Sequence, residues 1–324
     1  MAFLQKYPAV WPIFGAVIFY LLISQLTHNL DTSFLFVAAR LSTFILLLAL
    51  AQMVVVTSGD GAIDLSQIYI LTLCAYASTT LMFINPVLGF IASILIGGLA
   101  GLINGAINVY LRVPAMVTTL ATGYLYLTLV LVASSKMKVL PIPGFVSIVT
   151  KNIGPVSVQT IIVVAVAGIL AVVMYRTKFG KQLHAVGQNR NAAYLAGVPT
   201  SRVVLTSFVI GGLLSGLAGV MAAAVMGGAF QDMGVAYFLP SIAATFVGGT
   251  AAAGGRSNVL GVSFGALMMT LMASFLDTSQ STFGLASGIK QLVMGIFLVS
   301  ILLLSVTSSK KRSKKVAITT QGEK

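Results

Sequence analysis

Nine stretches of at least 19 residues carry no Asp, Glu, Lys or Arg, and together they cover most of the 324-residue chain. They are residues 7–30, 41–59, 65–111, 113–135, 152–175, 203–231, 233–255, 257–276 and 291–309. The hydrocarbon core of a bilayer is about 30 Å thick and takes about 20 helical residues to cross, and a charge at its centre costs about 2.5 to 3.5 kcal/mol. Each stretch is long enough and free enough of charge to span a membrane. The third, with 47 residues, is too long for one crossing. Asn85-Pro86 supplies a turn in its middle, because proline lacks a donor and biases its predecessor away from helix. Counting that stretch twice predicts ten spans in an all-α polytopic integral membrane protein.

Composition excludes the alternatives. AVILMFWYC residues make up 58% of the chain and charged residues 8%, against about 25% charged in a soluble protein. Disorder has the opposite signature, so only the last 15 residues, 310–324, read as a basic disordered tail on a transmembrane domain of residues 1–309. The net charge of +13 would suggest nucleic acid in a soluble protein. Here it reports topology, and the expected partner is the lipid bilayer rather than a nucleic acid. With the N-terminus inside, 14 of the 19 Lys and Arg fall on the cytoplasmic side, among them Arg112, Arg176, Lys178, Lys181, Arg190, Arg202, Arg256 and the tail cluster. Lys136, Lys138, Lys151 and Lys290 fall outside, and both termini are expected in the cytoplasm. A cleaved leader is the competing reading of the first stretch, which is long for one and holds Trp11 and Tyr20 where interfacial aromatics sit.

The connections hold the chemistry. Residues 58–66, SGDGAIDLS, form a glycine-rich break before the third span and contain two of the chain's six acids, Asp60 and Asp64. Non-helical backbone at membrane depth is tolerated only where protein or a water-filled cavity covers it. Asp64 or Ser66 either caps the third span or faces a solute path. A second break, GGTAAAGG, holds Gly248, Gly249, Gly254 and Gly255. Small residues recur in residues 96–108 and 210–219, which begin with the same four residues, Ile-Gly-Gly-Leu, and run in opposite directions in this topology. Asn104 and Asn108 on the fourth span either bond between helices or meet a solute. Residues 176–202, the largest cytoplasmic connection, read as a short surface helix bounded by Gly180, Gly187 and Gly197 and stopped by Pro199.

No GxxxxGK[ST] is present, so the chain has no nucleotide site of its own and is not expected to be an enzyme. His28 and His184 are isolated, and Cys74 lies in an apolar run as a small buried hydrophobe. Neither a metal site nor a cofactor is expected. Energy for uphill movement must come from an ion gradient or another protein.

Four segments in order resemble the membrane-spanning permeases of ribose-type bacterial ABC importers for simple sugars. Residues 58–66 resemble that family's SGGIDLS motif, with Ile63, Asp64, Leu65 and Ser66 in place. Residues 102–122 resemble its Asn-Gly, Val-Pro and Thr-Leu segment, and residues 242–269 its I-G-G-T…G-G segment. Residues 177–198 resemble the cytoplasmic loop that meets the ATPase, which puts Phe179, Gly180, Gly187, Asn189, Ala192, Ala193 and Gly197 in a coupling role. The resemblance implies an ABC ATP-binding subunit, a periplasmic or lipid-anchored substrate-binding protein and a second permease as partners, in the bacterial cytoplasmic membrane. The implied cargo is a small sugar or sugar-like solute.

Departures from the pattern also stand out. Tyr237, Phe238, Leu239, Pro240, Ser241, Ile242 and Ala243 replace a family stretch with two acids, and Gln188 replaces a glycine. These changes suit one half of a heterodimer whose partner keeps the acids. The alternatives are a permease for branched-chain amino acids or nucleosides, and an ion-coupled carrier relaying through Asp60 or Asp64.

Overall fold

The computed structural model describes residues 9–300 except 29, 30, 136, 285 and 287. The basic tail, the end of the last stretch and Lys6 lie outside the described residues. Among the described residues thirteen helices follow in order: α1 Val10–Thr27, α2 Ser33–Thr57, α3 Gln67–Leu81, α4 Pro86–Tyr110, α5 Ala115–Ser134, α6 Pro143–Thr150, α7 Val158–Arg176, α8 Lys178–Gln188, α9 Arg190–Leu195, α10 Thr200–Val225, α11 Val235–Val247, α12 Val259–Phe283 and α13 Gly288–Ser300. Between α6 and α7 lies a small antiparallel hairpin, β1 Asn152–Ile153 with β2 Val156–Ser157, turned by Gly154 with φ +62°.

Helix ends form where local side chains satisfy orphan amides. Asn85 Oδ1 accepts from the N–H groups of Val87 (3.1 Å) and Leu88 (3.0 Å), with Pro86 opening α4, so the 47-residue stretch is split where the sequence predicts. Asn258 does the same for α12 through Gly261 N–H at 3.0 Å.

Seven of the described helices (α1, α2, α4, α5, α7, α10 and α12) are long and apolar enough to cross a membrane. The chain is thus an all-helical polytopic membrane protein apart from its hairpin. The third and eighth charge-free stretches yield shorter helices. With 15 and 13 residues, α3 and α11 rise only about 20 Å at 1.5 Å per residue. Each leaves its remaining depth to one of the glycine-rich breaks. Parts of each break are covered by protein: Asp64 and Ser66 are fully buried in the first, and Thr250 is 2% exposed in the second.

At the centre stands α2, buried on every side from Ser42 to Thr57 and packed against α7, α10, α11 and α12. The most extensive pairing is α4 with α10. There the two Ile-Gly-Gly-Leu segments cross, and a Cβ on Gly97 would lie 2.4 Å from the Gly212 carbonyl oxygen, one on Gly212 2.1 Å from that of Gly97. Only hydrogen fits, so the two backbones touch.

Candidate functional site

Asp64 sits at the end of the first break, ahead of α3. Its Oδ1 accepts from the Ser66 N–H (2.9 Å) and hydroxyl (2.6 Å), and the Ser66 oxygen in turn accepts from Asn104 Nδ2 of α4 at 2.7 Å. Tyr126 of α5 closes the chain, its hydroxyl lying 3.1 Å from Asn104 Oδ1 and 2.9 Å from the Ala100 carbonyl. Four polar side chains thus tie α3, α4 and α5 together inside the protein. With its amide turned to suit its neighbours, Gln52 of α2 bonds the Asp64 carbonyl and N–H at 3.2 Å each. The other carboxyl oxygen, Oδ2, is buried with no hydrogen-bond partner.

This arrangement corrects the simple cap. Ser66 occupies the N-cap position of α3 yet makes no capping bond, because its hydroxyl is turned to Asp64 and Asn104. Asn108 corrects the sequence reading as well. Its Nδ2 donates to the Val113 carbonyl at 2.8 Å, fastening the α4–α5 turn rather than another span.

A leucine at Asp64 leaves the buried Ser66 N–H and hydroxyl without their acceptor, at a cost of about 1 to 3 kcal/mol for each group. Asparagine keeps the acceptor. Thermal unfolding in detergent should therefore show Asp64→Leu well below the native chain and Asp64→Asn close to it. Equal melting of both variants would remove Asp64 from its structural role.

Asp60 is separated from this cluster. It lies at the surface with φ +54°, its side chain 70% exposed, and pairs with Arg190 Nη1 at 3.2 Å. The pair links the first break to the 176–202 connection.

That connection is two helices rather than one. Asn189, extended at φ −159°, separates α8 from α9 and caps α9 by accepting from Ala192 N–H at 3.0 Å. Gly180 and Gly187 lie inside α8 instead of ending it, because both serve close approach. A Cβ on Gly180 would meet the Met174 carbonyl at 2.1 Å, where α8 folds back against α7. One on Gly187 would lie 1.9 Å from the Thr57 carbonyl and 2.4 Å from Gly255 N. Phe179 packs against the core, Ala193 is buried, Ala192 is exposed, and Gly197 ends the connection at φ +82°.

The end of α8 therefore lodges between the two breaks. Gly255 N–H donates to the Thr57 carbonyl at 3.0 Å, joining the breaks directly. Gly254, at φ +89°, lies against Gly59, and Gln188 Nε2 reaches the Gly255 carbonyl at 3.4 Å. His184 adds a strut, with Nδ1 2.7 Å from the Gly180 carbonyl and Nε2 3.2 Å from Ser257 Oγ. At the other end of the second break, Gly248 packs on α12, 2.4 Å from Val262 Cα for an added Cβ, and Gly249 turns the chain at φ +91°.

Sequence reading missed Tyr126, whose partners lie on α4, and the strut of His184, whose far partner Ser257 is 73 positions away. For Gly187 the signal was present as a glycine within an amphipathic helix.

Residues 34–302 match the family described as branched-chain amino acid transport system / permease component. The chain belongs to that family. The match runs from the second residue of α2 through α13, so both breaks and α8 lie within the permease pattern. The permease is 30% identical over 224 residues to the D-allose transport system permease protein AlsC of Escherichia coli (strain K12), covering 68% of this chain and 69% of that protein. It is 32% identical over 238 residues to the autoinducer 2 import system permease protein LsrC of Photorhabdus luminescens, 71% of this chain and 70% of that one. With LsrC of Shigella flexneri it shares 28% identity over 284 residues, 85% and 81% of the two chains. No solved structure matches the permease. The transport permease expected from the sequence is thus the class to which the chain belongs, a multi-pass membrane protein and a transport component rather than an enzyme.

Proposed function

We propose that this permease is the membrane-spanning subunit of an ATP-driven importer for a small sugar or sugar-like solute in the bacterial cytoplasmic membrane. Ten spans with both termini in the cytoplasm accommodate α3 and α11 as half-length helices completed by their breaks, and the excess of Lys and Arg on one side supports that orientation. The single observation that carries the reading is the seat of α8. A cytoplasmic helix whose Gly187 is wedged between Thr57 and Gly255 has a mechanical hold on both membrane breaks at once. An ATPase that moves α8 would move both. Such a ligand-driven shift requires different contacts in two states, and α8 with α9 is the segment placed to make them.

Asp64, Ser66 and Asn104 act in this reading as the support of the first break, since none of them is exposed within the subunit. The solute passes between this permease and a second one, identical or paralogous, after release from a substrate-binding protein. The sugar assignment draws on relatives named for D-allose and autoinducer 2. The family description favours a branched-chain amino acid as the second reading.

The test is a pull-down of the tagged permease from detergent-solubilised native membranes. An ATP-binding subunit should copurify, and the ligand preference of a copurifying binding protein decides between sugar and amino acid. A chain that comes down alone, under conditions that preserve other importers, overturns the ATP-driven reading.

A further inference from the structure

The first break, the α4–α5 turn, the α8–α9 joint and the start of α10 enclose an open cleft of about 650 Å³, within the range of about 300 to 1,000 Å³ typical of ligand sites. Its walls carry Ser58, Asp60, Arg112, Arg190, Asn191 and Ser201. Two arginines and one carboxylate thus line the cleft, and the carboxylate is taken by Arg190 at 3.2 Å. Among the described residues no acid lies within ion-pair reach of Arg112. Asp60 and Arg112 are also two of the three non-glycine residues among those described with a left-handed backbone, at φ +54° and +55°. The Arg112 turn is held there by Asn108 Nδ2 and Thr118 Oγ1, which both donate to the Val113 carbonyl, at 2.8 and 3.4 Å.

The cleft lies beside the ends of two helices of membrane length. Arg112 stands between the end of α4 and the start of α5, two helices of membrane length, and its neighbours Tyr110 and Leu111 are 72% and 70% exposed. An exposed tyrosine at a span's end is the residue type enriched at the bilayer interface. A basic pocket between span ends on the cytoplasmic side is a site for an anionic headgroup.

We propose that this cleft binds the phosphate of an anionic lipid headgroup between Arg112 and Arg190. The inference rests on the permease reading for the leaflet concerned, but binding is read on the isolated chain, so it stands or fails separately from the ATPase pull-down. A phosphate on Arg190 competes with Asp60. Lipid occupancy and the tie between the first break and the 176–202 connection are then reciprocally linked.

The experiment is a thermal-shift titration of the purified full chain in non-ionic detergent with short-chain phosphatidylglycerol, phosphatidylcholine and inorganic phosphate in parallel. Phosphatidylglycerol should raise the melting temperature saturably, while the other two have no effect over the same range. Arg112→Ala and Arg190→Ala should each weaken the response about tenfold, as the loss of one guanidinium–phosphate contact. Arg112→Lys should retain most of it, and Asp60→Asn should strengthen it. If Arg112→Ala does not fold, Arg190→Ala, on the first residue of the short helix α9, decides alone. An equal shift with inorganic phosphate makes the site one for free anions and overturns the lipid assignment. A phosphatidylglycerol response unchanged in the arginine variants, or absent from the native chain, overturns the site. The same holds if Arg112→Glu loses a copurifying ATPase while the native chain ignores the lipid, since the cleft then belongs to a protein partner.

Discussion

Gly187→Val should abolish import while leaving the chain folded in the membrane. The added Cβ falls 1.9 Å from the Thr57 carbonyl and 2.4 Å from Gly255 N, both backbone atoms that no rotamer change can move aside. Overpacking of this kind costs about 1 to 3 kcal/mol or more, and it is confined to the seat of an 11-residue surface helix. A bias of about 3 kcal/mol against the seated arrangement lowers its population about a hundredfold. The clash falls on the last residue of α2 and on Gly255, and none of the three atoms nearest the added Cβ belongs to the α4–α10 crossing. The expected result is normal abundance in the membrane, a normal elution profile in detergent, and growth reduced to background in cells that need the chain for import. Normal growth would show that the wedge between the breaks does not carry the coupling.

A larger effect, on folding rather than on import, is expected at the α4–α10 crossing. A side chain on Gly212 meets the Gly97 carbonyl at 2.1 Å and the Gly101 Cα at 3.0 Å, so Gly212→Val must drive the two helices apart. Because α10 also packs on α2 and α3, the displacement spreads through the centre of the protein. A cost of about 3 kcal/mol or more corresponds to a fall in melting temperature on the order of 10 °C for a chain of this size. Gly168→Ala on α7 provides the comparison, since a Cβ there meets nothing within 4 Å. It should melt within about 1 °C of the native chain. A Gly212→Val protein as stable as the native one would mean that the backbones are not in contact.

Much of this architecture was legible because hydrocarbon permits few solutions. Runs without charge locate the spans, Asn85-Pro86 locates a turn, and glycine-rich segments locate the breaks. Lengths were less legible. The stretch 233–255 is free of charge over 23 residues, yet only Val235–Val247 is helical, because charge reports solvation and not whether glycines continue a helix. The site was legible by residue and not by partner. Asp60 and Asp64 look equivalent in SGDGAIDLS, but a left-handed turn at Gly59, Asp60 and Gly61 sends one outward to Arg190 and leaves the other facing Ser66. Gly187 and Thr57 are 130 positions apart, and their contact depends on the placement of α7, α10 and α12 around α2. No local pattern encodes that placement.

The burial of α2 has a consequence for biosynthesis. Three of the helices that enclose it, α10, α11 and α12, are made long after it, and Thr245 of α11 donates to the Ala49 carbonyl at 3.0 Å across 196 positions. At about 5 to 20 residues per second, roughly 7 to 30 seconds separate completion of α2 from the first residues of α10. During that interval Gln52 and Thr57 lack the surroundings that bury them in the finished protein. Chains interrupted before α10 should therefore be held at the insertion machinery or degraded, and the nascent segment around α2 is where a chaperone of membrane assembly has most to protect.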